Sequence, residues 1–332
     1  MRQKWTPRTV HQLASGFQRS CVVIAAAELD VFSAIGREAL RADEVARRLA
    51  TDLRATTILL NALAALGFLE KTGNAYRVPP DVADILTPQG SQRAFFMVRH
   101  LGRCMRRWAQ LSKVVRQGRP AEVIPTVLSP EEESEAFIEA MDEICGPMAD
   151  ELVGELGPPP FEHLLDVGGG SGTWTLAFLR AVPGSRATLF DLPEVIPLAR
   201  RRLEAAGMGD RVRLVAGDYL RDALPQGADL AWLSAIVHQN SPQENRLLLE
   251  KTRGALAPGG TVLIRDVVME PDRVRPPGGA LFAINMLVNT PGGGTYTFEE
   301  LARWLTEAGF RNPRLLRRDE WMNSIVAANA GE

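Results

Sequence analysis

The sequence predicts an α/β fold, a doubly wound parallel sheet that follows an all-helical N-terminal domain. Three observations predict it. Beyond residue 157, short apolar runs of strand length alternate with helical segments, the pattern of a parallel sheet wrapped by helices on both faces. Before residue 157, apolar residues recur at helical spacing instead. Between the two stands Gly157-Pro158-Pro159-Pro160, a run that neither a helix nor a central strand continues through.

The N-terminal elements follow in order. Leu13, Phe17, Cys21, Ile24 and Ala25 share one helical face, and Val45, Leu49, Leu59, Leu60, Leu63 and Leu66 another. Residues 41–79 read as a winged helix-turn-helix. One helix covers Asp43–Leu49 and a second Arg54–Leu66, with Gly67 as its stop. Phe68-Leu69 and Tyr76-Arg77-Val78 then form a hairpin around Gly73-Asn74. A helix is predicted over about Gln92–Gln117 and another from Glu131 to about Leu156. Three divisions result: residues 1–100, 101–156 and 157–332.

The C-terminal part supplies strand runs at Leu164–Val167, Ala187–Phe190, Val212–Val215, Leu230–Ser234 and Val262–Val267. Helical segments between them are Trp174–Ala181, Val195–Ala206 and Pro242–Leu256.

Bulk properties exclude several classes. The 332 residues suit about two domains, and 45 % hydrophobic with 23 % charged residues is a globular composition. A formal net charge of -2 favours neither nucleic acid nor an acidic membrane surface. Cys21, Cys104 and Cys145 are odd in number and scattered, unlike a disulfide framework or zinc site, and fit a reducing, cytoplasmic setting. Met1-Arg2-Gln3-Lys4-Trp5-Thr6-Pro7 has no apolar core behind its charges, unlike a signal peptide. No uncharged apolar run is long enough to predict a membrane span. Metal-ligand clusters are also absent from the sequence pattern, so metal-dependent chemistry is not expected.

The sharpest motif is Asp166-Val167-Gly168-Gly169-Gly170-Ser171-Gly172, at the end of the first strand. Such a loop lets backbone pass close to a ligand and turn into a helix N-terminus. A phosphate-gripping P-loop would need Gly-Lys-Ser/Thr, and no lysine is present. A dinucleotide fingerprint fails in both registers, because Thr173 or Thr175 occupies the third glycine position. Asp191 follows the second strand, where a carboxylate can accept both hydroxyls of a ribose. Asp218, in Gly217-Asp218-Tyr219 after the third strand, can receive an adenine amino group.

With Asp-x-Gly-x-Gly-x-Gly as its loop, the chain resembles class I methyltransferases. It is similar in particular to the caffeate-, acetylserotonin- and hydroxyneurosporene-type small-molecule O-methyltransferases. Ala26-Ala27-Glu28-Leu29-Asp30-Val31-Phe32, Leu63-Ala64-Ala65-Leu66-Gly67-Phe68-Leu69, Asp191-Leu192-Pro193, Leu256-Ala257-Pro258-Gly259-Gly260, Glu299-Glu300-Leu301 and Ala308-Gly309-Phe310 carry the resemblance with the glycine loop. It implies a Rossmann-like sheet that binds S-adenosyl-L-methionine, and a winged-helix domain that forms a homodimer. The cofactor contacts it implies fall on Asp166, Gly168, Gly170, Asp191, Leu192, Asp218 and Tyr219, with Ser234 near the adenosine. A small-molecule acceptor would be lined by Phe137, Met141, Trp232, Phe282, Asn285, Met286 and Asn289. Core packing is the other reading of those residues.

His238 coincides with the catalytic histidine of that family, and Asp266 with one of the two acids that hold it. The usual Asp after the histidine is Gln239, and the second acid falls near Thr295, where no carboxylate stands. His238 therefore has two readings, a general base or a histidine that caps the next helix. Gly292-Gly293-Gly294 suggests either a flexible gate near the pocket or an ordinary loop.

The expected function is methyl transfer to a hydroxyl of a small aromatic or polyketide-like molecule. Carbon or nitrogen methylation, and a cofactor-binding protein with a non-methylating tailoring role, are the alternatives. DNA binding by the winged helix is disfavoured, because Arg54–Leu63 offers one arginine on a mainly apolar surface.

Overall fold

The computed structural model describes residues 4–125 and 127–331, with backbone alone at 130, 131, 134 and 135. Met1-Arg2-Gln3, part of the stretch read against a signal peptide, lie outside the described residues. The chain divides into two compact units: Met1–Arg106 with Ile124–Glu143, and Arg107–Val123 with Ile144–Glu332.

The first unit opens with helices α1 (Pro7–Ala14), α2 (Phe17–Glu28) and α3 (Val31–Ile35). The winged helix follows as α4 (Ala42–Leu49) and α5 (Leu53–Ala65). Asp52 starts α5 by accepting the Ala55 N–H at 2.7 Å. Phe32, Ile35, Val45, Leu60, Leu63 and Tyr76 close over one core. The wing has three strands rather than the expected two: β1 (Leu40–Arg41), β2 (Glu70–Thr72) and β3 (Ala75–Arg77), in the order β1-β3-β2. Two residues are too few to show a strand period, so β1 left no trace in the sequence. After α6 (Pro80–Leu86) comes α7 (Phe95–Trp108), tied to α2 by a bidentate Arg106–Glu28 pair at 2.7 Å.

The single helix expected over Gln92–Gln117 is two helices, α7 and α8 (Leu111–Gln117). The backbone leaves helical geometry at Gln110, whose side-chain amide grips Glu122 through both N–H and C=O. The Gln110 backbone still bonds locally, its N–H to Arg107 O and its C=O from the Val114 N–H, both at 3.0 Å, so the break is a change of backbone angle at a residue held by Glu122. The long helix α9 (Pro130–Leu156) leads into the second unit.

There, β4 (His163–Val167), α10 (Thr173–Ala181), β5 (Arg186–Asp191), α11 (Ile196–Ala205), β6 (Val212–Ala216), β7 (Ala228–Ser234), α12 (Pro242–Ala255) and β8 (Leu256–Asp266) alternate as the sequence predicts. The chain then adds β9 (Val268–Met269), α13 (Pro277–Asn289), β10 (Tyr296–Thr297), α14 (Phe298–Glu307), β11 (Arg311–Arg317) and β12 (Ser324–Asn329). The main sheet runs β11-β12-β8-β7-β4-β5-β6. Strands β8, β7, β4, β5 and β6 are parallel, while β12 is antiparallel to β8 and to β11. The last two strands escape the sequence pattern. β11 is arginine-rich and broken by Pro313, and β12 is a short alanine-rich run whose burial shows only in place.

Alternation along the strands builds two cores. On one face Leu164, Trp232, Trp174 and Phe178 pack with Ala149, Leu152 and Val153 of α9. On the other face Leu165, Leu233, Ile264, Trp304 and Leu305 pack together. The order matters for function. From β4 the chain moves outward to β5 and β6, then returns to β7 and β8 on the other side. The carboxyl ends of β4 and β7 therefore flank a topological switch point, where such sheets bind ligands. Among the described residues no helix is long and apolar enough to cross a membrane.

Trp232 is fully buried between Trp174 and Phe178, with ring centroids at 5.3 and 5.0 Å. Its replacement by alanine is expected to cost about 3–5 kcal/mol in urea unfolding. Phenylalanine should cost far less, because the buried indole Nε1 has no hydrogen-bond partner.

Candidate active site

The glycine loop leaves β4 at the switch point. Gly168 and Gly170 adopt φ of 68° and 56°, values that non-glycine residues rarely hold. A Cβ on Gly168 would lie 2.9 Å from Ile236 Cγ2, whereas one on Gly170 would enter open space. The loop is thus packed from behind and bare in front. The Gly170 N–H donates to Asp191 Oδ2 at 2.7 Å, and the Leu192 N–H to Asp191 Oδ1 at 2.7 Å. Each carboxylate oxygen keeps a further lone pair for a ligand hydroxyl. Burial raises the Asp191 pKa, against the pull of those two backbone donors. Leu192 beside it is 41 % exposed, a large apolar surface flanking a polar cradle.

Asp166 lies on the inner side of the loop, fully buried, and accepts Thr175 Oγ1 at 2.6 Å. Burial pushes its carboxyl up to about 7, against the Thr175 bonds and with the help of Asp191. Asp218 accepts the Leu220 N–H at 2.9 Å and faces Arg221 at 3.4 Å. The Tyr219 hydroxyl donates to Asn240 Oδ1 at 3.2 Å, and burial pushes its pKa up to about 12.

The path out of β7 is set by Ala235, a non-glycine residue at φ 57°. That conformation costs about 1–2 kcal/mol. It turns the chain into a 3₁₀ turn over Val237–Gln239 that carries His238 inward. His238 and Asp266 are both buried, and His238 Nδ1 stands 2.9 Å from Asp266 Oδ1. The same carboxylate accepts the backbone N–H of His238 at 3.2 Å and of Val267 at 2.7 Å. With Nδ1–H donated to the acid, the other nitrogen, Nε2, is the basic one. Among the described residues no second carboxylate approaches His238, and Gln239 turns away to Ala235 O at 3.1 Å.

The triple glycine packs closely against the turn of the histidine. The Gly294 N–H donates to His238 O at 2.9 Å and the Gly293 N–H to Thr290 Oγ1 at 2.9 Å. A Cβ on Gly293 would lie 2.5 Å from His238 O and 2.5 Å from Thr290 Oγ1. Only glycine lets this loop seat against the turn of the histidine.

Helix α13 brings further residues alongside. Phe282 meets the His238 ring edge-on at 4.8 Å. Asn285 Oδ1 accepts the Trp108 indole N–H at 2.9 Å and the Asn289 amide at 3.1 Å. Met286 is buried. Trp232, expected to line a pocket, is sealed in the sheet core and shows no face to ligand. Phe137 and Met141 belong to the first unit, where Phe137 is 38 % exposed beside His100. Among the described residues no group of three or more metal-ligating side chains occurs.

Sequence reasoning missed Arg265 and Asn240, which brace this region. Arg265 is buried over the Trp174 ring at 4.5 Å and donates to Ser234 Oγ at 3.2 Å and to Asn323 Oδ1 at 2.6 Å. Burial lowers its pKa. A charge within the apolar run Val262–Val267 was the available signal. Asn240 accepts the Tyr296 hydroxyl at its backbone oxygen, 2.5 Å away, and no pattern announces it.

A doubly wound sheet with an unoccluded glycine cradle, an acid one strand away and a histidine–aspartate pair defines a class I methyltransferase. The chain belongs to the O-methyltransferase family. The family's O-methyltransferase domain matches residues 108–311, and its dimerisation domain matches residues 11–86. Similar proteins include the 3-hydroxy-5-methyl-1-naphthoate 3-O-methyltransferase of Streptomyces sahachiroi, 33 % identical over 97 % of this chain and 94 % of that protein. The tetracenomycin polyketide synthesis 8-O-methyl transferase TcmO of Streptomyces glaucescens is 31 % identical over 93 % of this chain and 92 % of its own. Human N-acetylserotonin methyltransferase, solved in complex with SAM, superimposes with a TM-score of 0.80 at 26 % identity, covering 100 % of both chains.

Two outcomes are expected from this geometry. Gly293→Ala should cost about 1–3 kcal/mol of stability by overpacking, read by chemical denaturation. Asp166→Asn tests the buried carboxyl. A folded pKa raised above the unfolded one gives stability that is complete below about 4 and lost as pH rises through about 7. The variant should therefore gain on the wild type between those limits. A stability difference that stays flat with pH would contradict it.

Proposed function

We propose that the chain transfers the methyl group of S-adenosylmethionine to a hydroxyl of a small aromatic or polyketide-like acceptor, with His238 as general base. The single observation that carries the proposal is the buried His238–Asp266 pair at 2.9 Å. The residues present also fit the cofactor. Gly170 offers bare backbone with open space in front, Asp191 offers free lone pairs for ribose hydroxyls, and exposed Leu192 offers a surface for a purine. Asp218 and Tyr219 would hold the base of the nucleoside, and Ser234, anchored by Arg265, would face the adenosine. When bound, S-adenosylmethionine supplies an electrophilic methyl group on a sulfonium.

Displacement at that carbon is in-line, so holding the acceptor in place supplies much of the rate. A phenol attacks poorly until its proton leaves, and an imidazole can take it at neutral pH. Asp266 fixes the tautomer that exposes Nε2 and stabilises the imidazolium that forms. Asp266, itself pinned by two backbone donors, would hold the ring alone, where the resemblance implies a second acid. The relatives that act on a hydroxynaphthoate and in tetracenomycin polyketide synthesis support an aromatic hydroxyl over a carbon or nitrogen acceptor. The dimerisation domain supports a homodimer in solution.

With a hydroxynaphthoate as acceptor, product mass should increase by one methyl group. His238→Ala should lower that rate at least tenfold, while calorimetry with S-adenosylhomocysteine shows unchanged affinity. Asp191→Ala should reverse the pattern, abolishing measurable nucleoside binding. An unaltered rate in His238→Ala would remove the base from the reaction.

A further inference from the structure

Three rings form a chain of contacts that begins at the base. His238 meets Phe282 at 4.8 Å with an interplanar angle of 81°, and Phe282 meets Trp321 at 5.7 Å and 68°. Both separations fall in the range that edge-to-face aromatic pairs prefer. Trp321 is 46 % exposed.

The ring is nevertheless firmly held. Its backbone N–H donates to Asp319 Oδ1 at 2.9 Å, and the Asn323 N–H reaches the same oxygen at 3.3 Å. The turn is tied to the sheet by Arg265, which donates to Asn323 Oδ1. On α13, a Cβ at Gly278 would lie 2.6 Å from Trp321 Cε3, so the indole presses directly on helix backbone. One side of the ring is pinned and the rest is open. A rigid, exposed aromatic surface continuous with a buried base is how a protein presents contact area to a flat ligand.

We infer that Phe282 and Trp321 form the aromatic wall of the acceptor site, and that Trp321 selects acceptors with a second fused ring. The inference rests on the reading that the acceptor hydroxyl sits at His238. The ring bearing that hydroxyl then meets Phe282. Trp321 is one ring further out, so it touches only the part of an acceptor that extends beyond its first ring. A single-ring phenol ends before it, and a fused bicycle reaches it.

Binding of 2-naphthol and of phenol to the full-length protein, measured by calorimetry without turnover, tests the assignment. Trp321→Ala should weaken 2-naphthol binding about tenfold and phenol binding less than twofold. Trp321→Phe, which keeps a ring on the turn, should recover most of the loss and guards against misfolding of the alanine variant. Equal losses for the two ligands, or none, would overturn the assignment. The base reading fails separately: His238→Ala that methylates normally discards it, whereas the ring-selective loss in Trp321→Ala is a binding result and does not depend on proton transfer.

Discussion

The hydrogen bond from the Gly170 N–H to Asp191 Oδ2 is the interaction on which the rest of the second unit depends. It joins the turn after β4 to the end of β5, the two crossovers that open one side of the switch point. Its strength comes from geometry and burial together. A charged acceptor in a partly desolvated site binds a backbone donor more tightly than a neutral one would. Asp166 supports the loop from beneath through Thr175. Two carboxylates therefore shape one loop, and the one at the surface remains able to meet a ligand.

On the other side of the switch point the same economy holds the base. His238 is placed by a left-handed residue before it, a pinned carboxylate beside it and a glycine loop seated on its backbone. Where the second acid would stand, Thr295 is buried and the loop packs onto the histidine turn. Rigidity supplied by backbone contacts stands where a second charge would otherwise orient the ring. Burial of one charge fewer also removes a desolvation cost.

Much of this was legible in the residues. The five parallel strands show as apolar runs; in β4, β5, β7 and β8 this is because strands covered on two faces read as continuous hydrophobic stretches, whereas β6 at the sheet edge is only half-buried. The wing hairpin and α5 show through Gly73-Asn74 and Gly67, while the Asp52 cap that starts the helix one residue before the expected Arg54 emerged with the structure. The elements that escaped lack such period: β1 is two residues long, β12 is alanine-rich, and the break at Gln110 depends on Glu122 twelve residues away. The pattern also could not tell an inward residue from a ligand-facing one. Trp232 and Phe282 are both aromatic beside apolar neighbours, yet one is locked in the core and the other abuts the base.

By itself the sequence determined the fold class and displayed the glycine loop with an acid after the next strand, because each is a local pattern with a local physical cause, while His238 was marked only by the family resemblance. Only the tertiary structure decided the 2.9 Å geometry between Asp266 and His238, that Gly293 is a close contact, and that Trp321 touches the ring beside the base. Those are contacts between residues far apart along the chain. No spacing records them, since they exist only after the sheet has brought its strand ends to one edge.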